Sequence, residues 1–333
     1  MMCLPSWRRL IVSTHLQVIK VESMRQADSA RGLGPSPARG MGSMFLGSGR
    51  SKQSVMLNLA PGEAGEAGRK VFLRLAKECD VLIQNFRPGS MERMGLDYEA
   101  VKKVNPDIIY LSSAGFGPTG PYSGTRIYDP IIQSLSGICE MQKNKDGSAR
   151  VAAQIVFDKG TAQRATAALT AALVARDNGH GGQEINMSML DAALEHLWCD
   201  GYQNDVFLES DADKAPEAVD TPEAKQAAQQ EKVSPTAAVA NNSKYFTTTS
   251  SSIPLFGKFK EPVLGSAVRF SGTPVSQRPS APMMGEHTVK VLGEAGYSEA
   301  QIAALMEGGT AMSTESLMTV RLDLGNCLLA SNR

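Results

Sequence analysis

The sequence has no excess of charge of either sign. Its 333 residues include 34 Lys and Arg and 34 Asp and Glu, so the formal net charge at pH 7 is +0. A face that binds nucleic acid or anionic lipid normally leaves an excess of positive charge in the sequence. We therefore expect no nucleic-acid partner and no electrostatic attachment to a membrane.

Cysteines and long apolar runs are also scarce. The five cysteines are scattered without a CxxC pair, which favours a reducing compartment and argues against structural zinc and a disulfide framework. The longest uncharged apolar run, 165–175, is too short for a membrane span, which needs about 20 residues. No metal-ligand spacing stands out, and no metal is predicted. Two arginines and no early acid at the N-terminus indicate either a transit-peptide remnant or an altered chain start.

Strand patterns and helix patterns alternate as far as about residue 206. Short β-rich runs such as "LQVIKVE", "DVLIQNF" and "DIIYLSS" precede helical patterns, among them residues 65–78 and the alanine-rich stretch that follows residue 158. This alternation is typical of an α/β fold around a parallel sheet. Residues 31–49 are rich in Gly, Ser and Pro and are predicted to form a loop.

The composition changes beyond residue 206. Residues 207–252 are rich in Ala, Glu, Gln, Lys, Ser and Thr and poor in large apolar side chains, which predicts that most of this insert is disordered. The run "NSKYFTTTSSSIPLF" at its end is interpreted as a strand. Ordered patterns then return, with a strand predicted at 264–272 and two short helices at 287–309. We therefore predict a large α/β domain at 1–206, an insert at 207–252 and a C-terminal segment at 253–333 that rejoins the large domain.

Asp158 is the only acidic residue between Val151 and Arg176, and an alanine-rich helical pattern begins directly after it. One interpretation is an N-cap for a helix starting near Lys159, since a capping Asp gains about 1 kcal/mol from backbone N–H bonds. The other is a covalent nucleophile, a role that carboxylates also perform. In both cases the free N–H groups at the helix end are expected to stabilise negative charge on a nearby oxygen.

Other candidate residues follow predicted strands. The Gly115–Pro121 loop lies where open α/β sheets bind ligands, but it lacks the known phosphate-loop spacings, so both a tight turn and a phosphate cradle stay open. Arg87 and Arg93 are either phosphate ligands or solvated surface residues. His196 and His287 have no partner in the sequence and are interpreted as structural.

Several longer motifs, taken together, resemble one enzyme family. They are "VIKVE", "DVLIQNFRPGSMERMGLDYEAV", "NPDIIYLSSAGFGPTGPYSG", "GGQEINMSMLDAALEHL" and "APMMGEHTVKVLGEAGYS". The chain is similar to the class III CoA-transferases (CaiB/BaiF type), which include formyl-CoA and succinate–hydroxymethylglutarate CoA-transferases, from about residue 16 to 206 and again from about 256 to 313. The resemblance implies a Rossmann-like parallel sheet, acyl-CoA and a carboxylic acid as substrates, no permanently bound cofactor, and a homodimer in the cytoplasm or mitochondria.

The resemblance also assigns site residues. It implies that Asp158 is the catalytic nucleophile, which forms a mixed anhydride and then an aspartyl-CoA thioester. The positions that it assigns to CoA binding are Arg31, Leu57, Asn58, Leu59, Ala60, Asn85, Phe86, Arg87, Arg93, Arg126, Ile127 and Tyr128. Asn58 stands where the family usually has Asp.

Tyr128 distinguishes two subclasses of the family, the transferases and the racemases. Racemases of the family have a histidine acid/base where this chain has Tyr128, and tyrosine is a poor base because its usual pKa is about 10. Transfer is therefore favoured over racemisation of a 2-methylacyl-CoA.

The family's first strand and helix and its small domain, which carries a closing glycine loop, are expected to be absent. That expectation keeps a third hypothesis open, a non-catalytic relative that at most binds CoA.

Overall fold

The computed structural model describes residues 2–5, 17–24, 28–198, 246–253, 257–264 and 280–317. The chain forms two compact units, one from Met1–His196 with Ser276–Arg333 and one from Leu197–Val275. Each unit is considered by itself. The predicted limits of the α/β domain and the insert stay predictions.

The first unit is built around a seven-stranded sheet with the order β6-β5-β4-β1-β2-β3-β9. Strand β2 runs parallel to β3, and β4, β5 and β6 run parallel to one another, whereas β1 and β9 are antiparallel to their neighbours. The predicted α/β fold with a parallel sheet is confirmed. The strands are β1 (Met2–Pro5), β2 (Val18–Ser23), β3 (Lys52–Leu57), β4 (Cys79–Gln84), β5 (Ile109–Ala114), β6 (Gln183–Ser188) and β9 (Ala311–Met312).

Helices connect the strands and return to the sheet after the second unit. They are α1 (Ser43–Gly49), α2 (Glu66–Lys77), α3 (Ser90–Met94), α4 (Tyr98–Val104), α5 (Asp129–Leu135), α6 (Ile138–Met141), α7 (Val156–Ala175), α8 (Met189–Leu197), α9 (Thr288–Glu294) and α10 (Glu299–Glu307). Short 3-10 turns at Ser29–Gly32 and Glu63–Gly65 add to them. Within the described ranges, none of the helices has both the length and the apolarity needed to cross a membrane.

Apolar side chains on the two faces of the sheet form the core. Helix α2 buries Val71, Phe72 and Leu75 against strand residues such as Leu57 and Leu82. Full burial of one such side chain is worth roughly 1.5–3 kcal/mol. On the other face of the sheet, α7 contributes Ala172 and Leu173 to a smaller cluster with residues of β4 and β5. The alanine-rich helix is therefore held against the sheet through its C-terminal half.

The prediction of a loop over residues 31–49 is wrong in its second half, where α1 forms. Phe45 and Leu46 of α1 are buried, and the Arg31 guanidinium lies 3.7 Å from the centre of the Phe45 ring. The helix thus owes its formation to tertiary contacts that outweigh the low helix propensity of its Gly and Ser residues.

Strand β1 occupies the position between β2 and β4. It runs antiparallel to both, with Met2 opposite Lys20 on one side and opposite Ile83 on the other. The register shifts between Leu4 and Pro5, where the proline has no N–H to donate to a neighbouring strand. Strand β1 therefore lies between β2 and β4, and the backbone groups along one edge of each of these strands pair with β1.

The second unit contains a β-hairpin. Strands β7 (Phe246–Ile253) and β8 (Gly257–Leu264) are antiparallel, with Phe246 opposite Leu264. Residues 246–253 therefore form a strand whose backbone groups pair with those of β8, within a stretch that its composition predicts to be mostly disordered. The rest of the predicted insert lies outside the described residues, as does the strand predicted at 264–272 apart from its first residue.

Candidate active site

The carboxyl ends of the parallel strands form one edge of the sheet, which is where open α/β sheets bind ligands. At the end of β4, the Gln84 side chain donates to Ser112 Oγ at 2.8 Å and accepts the Phe86 N–H at 2.8 Å. These two bonds fix the backbone just beyond the strand. Asn85, Phe86 and Arg87 follow as exposed residues, so the first part of the predicted CoA-binding set lies at this edge.

The neighbouring strand places a second part of the predicted set at the same edge. Gly115 follows β5, and a Cβ at this position would lie 1.9 Å from the Ile127 side chain. Only glycine therefore allows Ile127 to pack so closely on the end of β5. This contact holds Arg126 and Tyr128 near the sheet edge, and the Tyr128 side chain is 75% exposed.

Asp158 lies in the first turn of α7, but it is not the helix cap. The helix begins at Val156, with Ile155 at the N-cap position and Asp158 as the third helical residue. The prediction that Asp158 caps a helix starting near Lys159 is therefore wrong. The reason is that another carboxylate, Asp129 of α5, already accepts the first N–H groups of α7.

Asp129 binds the start of α7 from a neighbouring helix. One of its carboxylate oxygens accepts the Phe157 N–H at 2.7 Å and the Asp158 N–H at 2.9 Å. Asp129 is 1% exposed. An acceptor for these N–H groups is needed because the first turn of a helix has no internal partners for them.

Gln133, one turn along α5, completes this arrangement. Its side-chain NH₂ donates to the other Asp129 oxygen and to the Gln154 carbonyl, and its side-chain oxygen accepts the Ala152 N–H at 2.8 Å. Gln133 is fully buried. The segment that leads into α7 is therefore held by a buried pair of polar side chains whose hydrogen-bonding groups are engaged.

The environment of Asp158 differs from that of Asp129. Asp158 is exposed, and partial desolvation, followed by the negative charge of Asp129, raises the pKa of its carboxyl above the usual value. Across the part of the chain that the structure describes, the Asp158 carboxylate accepts no hydrogen bond. Its negative charge is thus less stabilised than that of an ordinary surface aspartate, and its oxygens are accessible to a reacting carbonyl.

The expectation that free N–H groups of this helix end would stabilise an oxyanion needs correction. The Phe157 and Asp158 N–H groups donate to Asp129, and the Lys159 N–H donates to the Ile155 carbonyl at 3.3 Å. Because these donors are already used, an oxyanion at this site has to be stabilised by other groups.

Arg31 is placed differently from the exposed arginines. It is 3% exposed, and its Nε and Nη2 donate to the two oxygens of the buried Glu22 at 2.8 and 2.5 Å. Its Nη1 donates to the carbonyls of Gly40 and Pro282. A contact between Arg31 and the nucleotide end of CoA stays a prediction.

The remaining predicted residues divide between the two sides of β1. Leu57 is buried at the end of β3, and Asn58 binds the Ala64 carbonyl and the Ala60 N–H, which closes the turn before α2. Arg93 is exposed on α3 and donates to Ser90 Oγ at 3.0 Å. Their contacts with CoA stay predictions. Arg31 and residues 57–60 thus belong to the β2–β3 side, whereas Asn85, Phe86, Arg87, Arg93 and residues 126–128 belong to the β4–β6 side.

Sequence reasoning did not predict that Asp129 and Gln133 contact the segment around Asp158. The available signal was their spacing, because residues four apart lie on one face of a helix, and the first turn of α5 carries Asp129 followed by a proline. Only the three-dimensional structure shows that this face is directed at the start of a helix 27 residues further along the chain, as the 129–156 interval indicates.

The fold and the site together define a class of protein. The chain is an open α/β protein whose carboxyl edge presents an exposed carboxylate, exposed arginines and exposed aromatic side chains. The sequence profile of CoA-transferase family III matches residues 17–229. The chain belongs to this family, which confirms the resemblance seen in its motifs.

Curated relatives agree with this assignment. The acetyl-CoA:oxalate CoA-transferase of Acetobacter aceti is 35% identical over 195 residues, covering 58% of this chain and 49% of the relative. The succinate–glutarate CoA-transferase of Agrobacterium fabrum is 33% identical over 189 residues, covering 55% of this chain and 46% of the relative. The chain thus spans about half the length of the curated relatives it matches.

A solved structure shows the same fold. The crystal structure of a CAIB/BAIF family protein from Brucella suis superposes with a TM-score of 0.64 at 22% identity, covering 83% of this chain and 91% of that chain.

Proposed function

We propose that the chain transfers CoA from an acyl-CoA donor to a carboxylic acid, with Asp158 as the covalent nucleophile. The observation that carries the proposal is the exposed Asp158 carboxylate, beside Asp129 and without a hydrogen-bond partner in the described residues. The names of the relatives support the reaction class, since both are CoA-transferases, one named for acetyl-CoA and oxalate and the other for succinate and glutarate.

The proposed chemistry proceeds through two kinds of aspartyl intermediate. The Asp158 carboxylate attacks the thioester carbonyl, which releases CoA thiolate and leaves an acyl–aspartyl anhydride. The thiolate attacks the aspartyl carbonyl, which frees the donor acid and forms an aspartyl-CoA thioester. The acceptor carboxylate then displaces the thiolate to form a second anhydride. Attack of the thiolate on the acceptor acyl carbonyl yields the new acyl-CoA and regenerates Asp158.

The exposed arginines of the β4–β6 side are the proposed phosphate ligands of CoA. Guanidinium groups of Arg87, Arg93 and Arg126 suit phosphate oxygens because they donate two parallel hydrogen bonds. Exposed rings of Phe86 and Tyr128, with Asn85, offer apolar and polar contacts for the rest of the molecule.

Three members of the predicted set on the β2–β3 side have an indirect role in this proposal. Arg31, Leu57 and Asn58 shape the ends of β2 and β3, and Arg31 ties β2 to the 280–285 segment through Glu22 and Pro282. The homodimer and the cytoplasmic or mitochondrial location stay predictions. Coenzyme A enters as a substrate of the proposed reaction.

The test is CoA exchange by the Asp158→Asn variant, measured with acetyl-CoA or succinyl-CoA and isotopically labelled oxalate or glutarate. We expect a loss of roughly 10³-fold or more, since removal of a covalent nucleophile blocks the pathway. Asp191→Asn is the matched control, because Asp191 is also an exposed third residue of a helix, α8. Hydroxylamine added to the wild type with acyl-CoA is expected to leave a hydroxamate on Asp158.

Three results would contradict the proposal in different ways. Unchanged exchange in Asp158→Asn removes Asp158 from the nucleophile role. Binding of CoA by the wild type without exchange for any acid favours the non-catalytic alternative. Loss of deuterium from the α-carbon of a labelled 2-methylacyl-CoA favours the racemase.

A further inference from the structure

Asp129 is a buried carboxylate with no role in the chemistry described above. It reaches from α5 to the backbone of Phe157 and Asp158, and Gln133 holds its second oxygen. A buried charge is costly unless it is fully hydrogen-bonded, and here each oxygen has at least one donor. The same cap could have been made by a residue next to the helix in sequence. The structure instead uses an ionisable group on another helix, and this group binds the backbone N–H of the candidate nucleophile.

We propose that Asp129 is the positioning residue of Asp158: it fixes the first turn of α7 through two backbone hydrogen bonds and sets its negative charge beside the reacting carboxylate. The proposal rests on the proposed function of Asp158 as nucleophile. Asp129 does two things through one carboxylate. Its hydrogen bonds hold the backbone from which the Asp158 side chain extends, and its charge opposes the stabilisation of the Asp158 anion.

The hydrogen bonds limit where Asp158 can be. Phe157 is 1% exposed, and both it and Asp158 are tied to Asp129 through their N–H groups. Gln133 fixes the preceding turn through Ala152 and Gln154. A nucleophile whose backbone is held on both sides loses less conformational entropy when it reaches the geometry of attack.

Among the residues that the structure describes, no positively charged side chain forms an ion pair with Asp129. Lys159 follows Asp158 in α7, but its Nζ lies 3.3 Å from Gln154 Oε1. On α8, the His196 ring lies edge-on to the Phe157 ring, with 6.2 Å between the ring centres. Glu195 of the same helix forms an ion pair with Arg164 of α7, with 3.1 Å between Oε1 and Nη2. On α5, the exposed Tyr128 precedes Asp129.

The experiment is a pH titration of the Asp158 carboxyl by carbon-13 NMR on aspartate-labelled full-length chain. The Asp158 signal is assigned by its loss in Asp158→Asn. Asp129→Asn keeps one oxygen to accept the two N–H groups but removes the charge. We expect the Asp158 titration midpoint to move to lower pH in this variant, because the negative neighbour that raises it is gone.

Enzyme kinetics give a second reading. The acid limb of the pH profile of kcat/KM is expected to move in the same direction as the NMR midpoint, and kcat is expected to fall on the order of 10-fold to 10²-fold through looser positioning. Asp177→Asn, which removes an exposed carboxylate beyond the other end of α7, is the matched control and is expected to move neither. A purely structural cap would lower activity without moving the acid limb.

The possible outcomes separate this proposal from the proposed function. An Asp158 midpoint that is the same in Asp129→Asn and the wild type overturns the role of Asp129. If Asp129→Asn does not fold, the wild-type titration decides: a midpoint at or below the ordinary value for aspartate contradicts the proposal. If the wild type exchanges no CoA, the proposed function fails, whereas the NMR titration still reports on Asp129.

Discussion

Two clusters of buried charge lie on different parts of the same sheet and are built in opposite ways. On the β2–β3 side, Glu22 and Arg31 pair unlike charges, with side chains only 1% and 3% exposed. Near β5 and β6, Asp129 is equally buried but lies beside a second carboxylate, that of Asp158, which is exposed. The first cluster compensates its charges internally, and the second leaves one negative charge uncompensated.

This difference separates a site that holds segments together from the site at which we propose the reaction. In the first cluster, Ser54 Oγ donates to Glu22 at 2.7 Å and accepts the Gly285 N–H at 3.0 Å, which connects β2 and β3 to the C-terminal segment. All of the charge there serves to hold segments together. Two neighbouring like charges instead cost stability, and such an arrangement accords with the proposed role of Asp158 as nucleophile.

Breaking the first cluster is expected to have the largest effect on stability. Arg31→Met leaves the Glu22 carboxylate buried without its partner, and we expect the free energy of unfolding to fall by about 3–5 kcal/mol. Urea denaturation followed by circular dichroism measures this change. The exposed pair of Glu66 and Lys70 provides the control, since solvent screens its charges and Glu66→Gln is expected to change stability far less than Arg31→Met.

A double variant sharpens the same point. Glu22→Gln together with Arg31→Met removes both charges, and we expect it to be more stable than Arg31→Met alone. A double variant as unstable as the sum of the single variants would show that the pair contributes by packing and not through its charges.

The pH dependence of stability also distinguishes the clusters. Burial acts to raise the pKa of Glu22, but the hydrogen bonds and charge of Arg31 together with Ser54 outweigh it, so the pKa is lowered. A lowered carboxyl pKa contributes stability that is present above the unfolded value of about 4.3 and is lost as the pH falls through the folded value. We expect Glu22→Gln to be less stable than the wild type at pH 7 and to lose less stability on acidification.

That expectation is checked by melting temperatures measured from pH 7 down to pH 3. Parallel curves for the wild type and Glu22→Gln would show that the Glu22 carboxyl does not contribute to acid sensitivity.

The second cluster is expected to give the smallest effect and the opposite sign. The pKa of Asp158 is raised, so the folded state binds its proton more tightly than the unfolded state does, and stability falls as the pH rises through this range. At pH 7, removal of the charge in Asp158→Asn is therefore expected to raise the melting temperature slightly. The gain should vanish at a pH below the unfolded value of about 3.9, where both states are protonated. Scanning calorimetry of both proteins at pH 7 and pH 3 measures it, and a lower melting temperature at pH 7 would contradict the assignment.

Local patterns predicted much of the α/β unit. The helix predicted at 65–78 is α2 at 66–77, and the strand pattern "DVLIQNF" overlaps β4 at 79–84, because apolar patterns record which parts of an element are buried. The prediction for 31–49 was wrong in the part that forms α1, because that helix depends on Phe45 packing beneath Arg31. Composition counts the Gly and Ser residues but does not contain this contact.

The candidate site shows the same division. The sequence placed Asp158 beside the start of a helix and, through the family motifs, named exposed residues such as Arg87 and Tyr128 that the structure places at the carboxyl edge. It could not show that Arg31 is paired with Glu22, nor that Asp129 caps α7, because both contacts join segments that are apart in the chain.

By itself, the sequence determined the alternation of strands and helices, the family and the identity of the exposed carboxylate, since each is written in residues that are close together along the chain. Only the tertiary structure decided which charged groups are neutralised and which are not. Burial and hydrogen bonding set the free energy of a charge, and both depend on partners that the fold brings together. Arg31 and Asp158 are both ionisable side chains, and the sequence alone does not distinguish their environments. The fold places Arg31 against the opposite charge of Glu22 and Asp158 beside the like charge of Asp129.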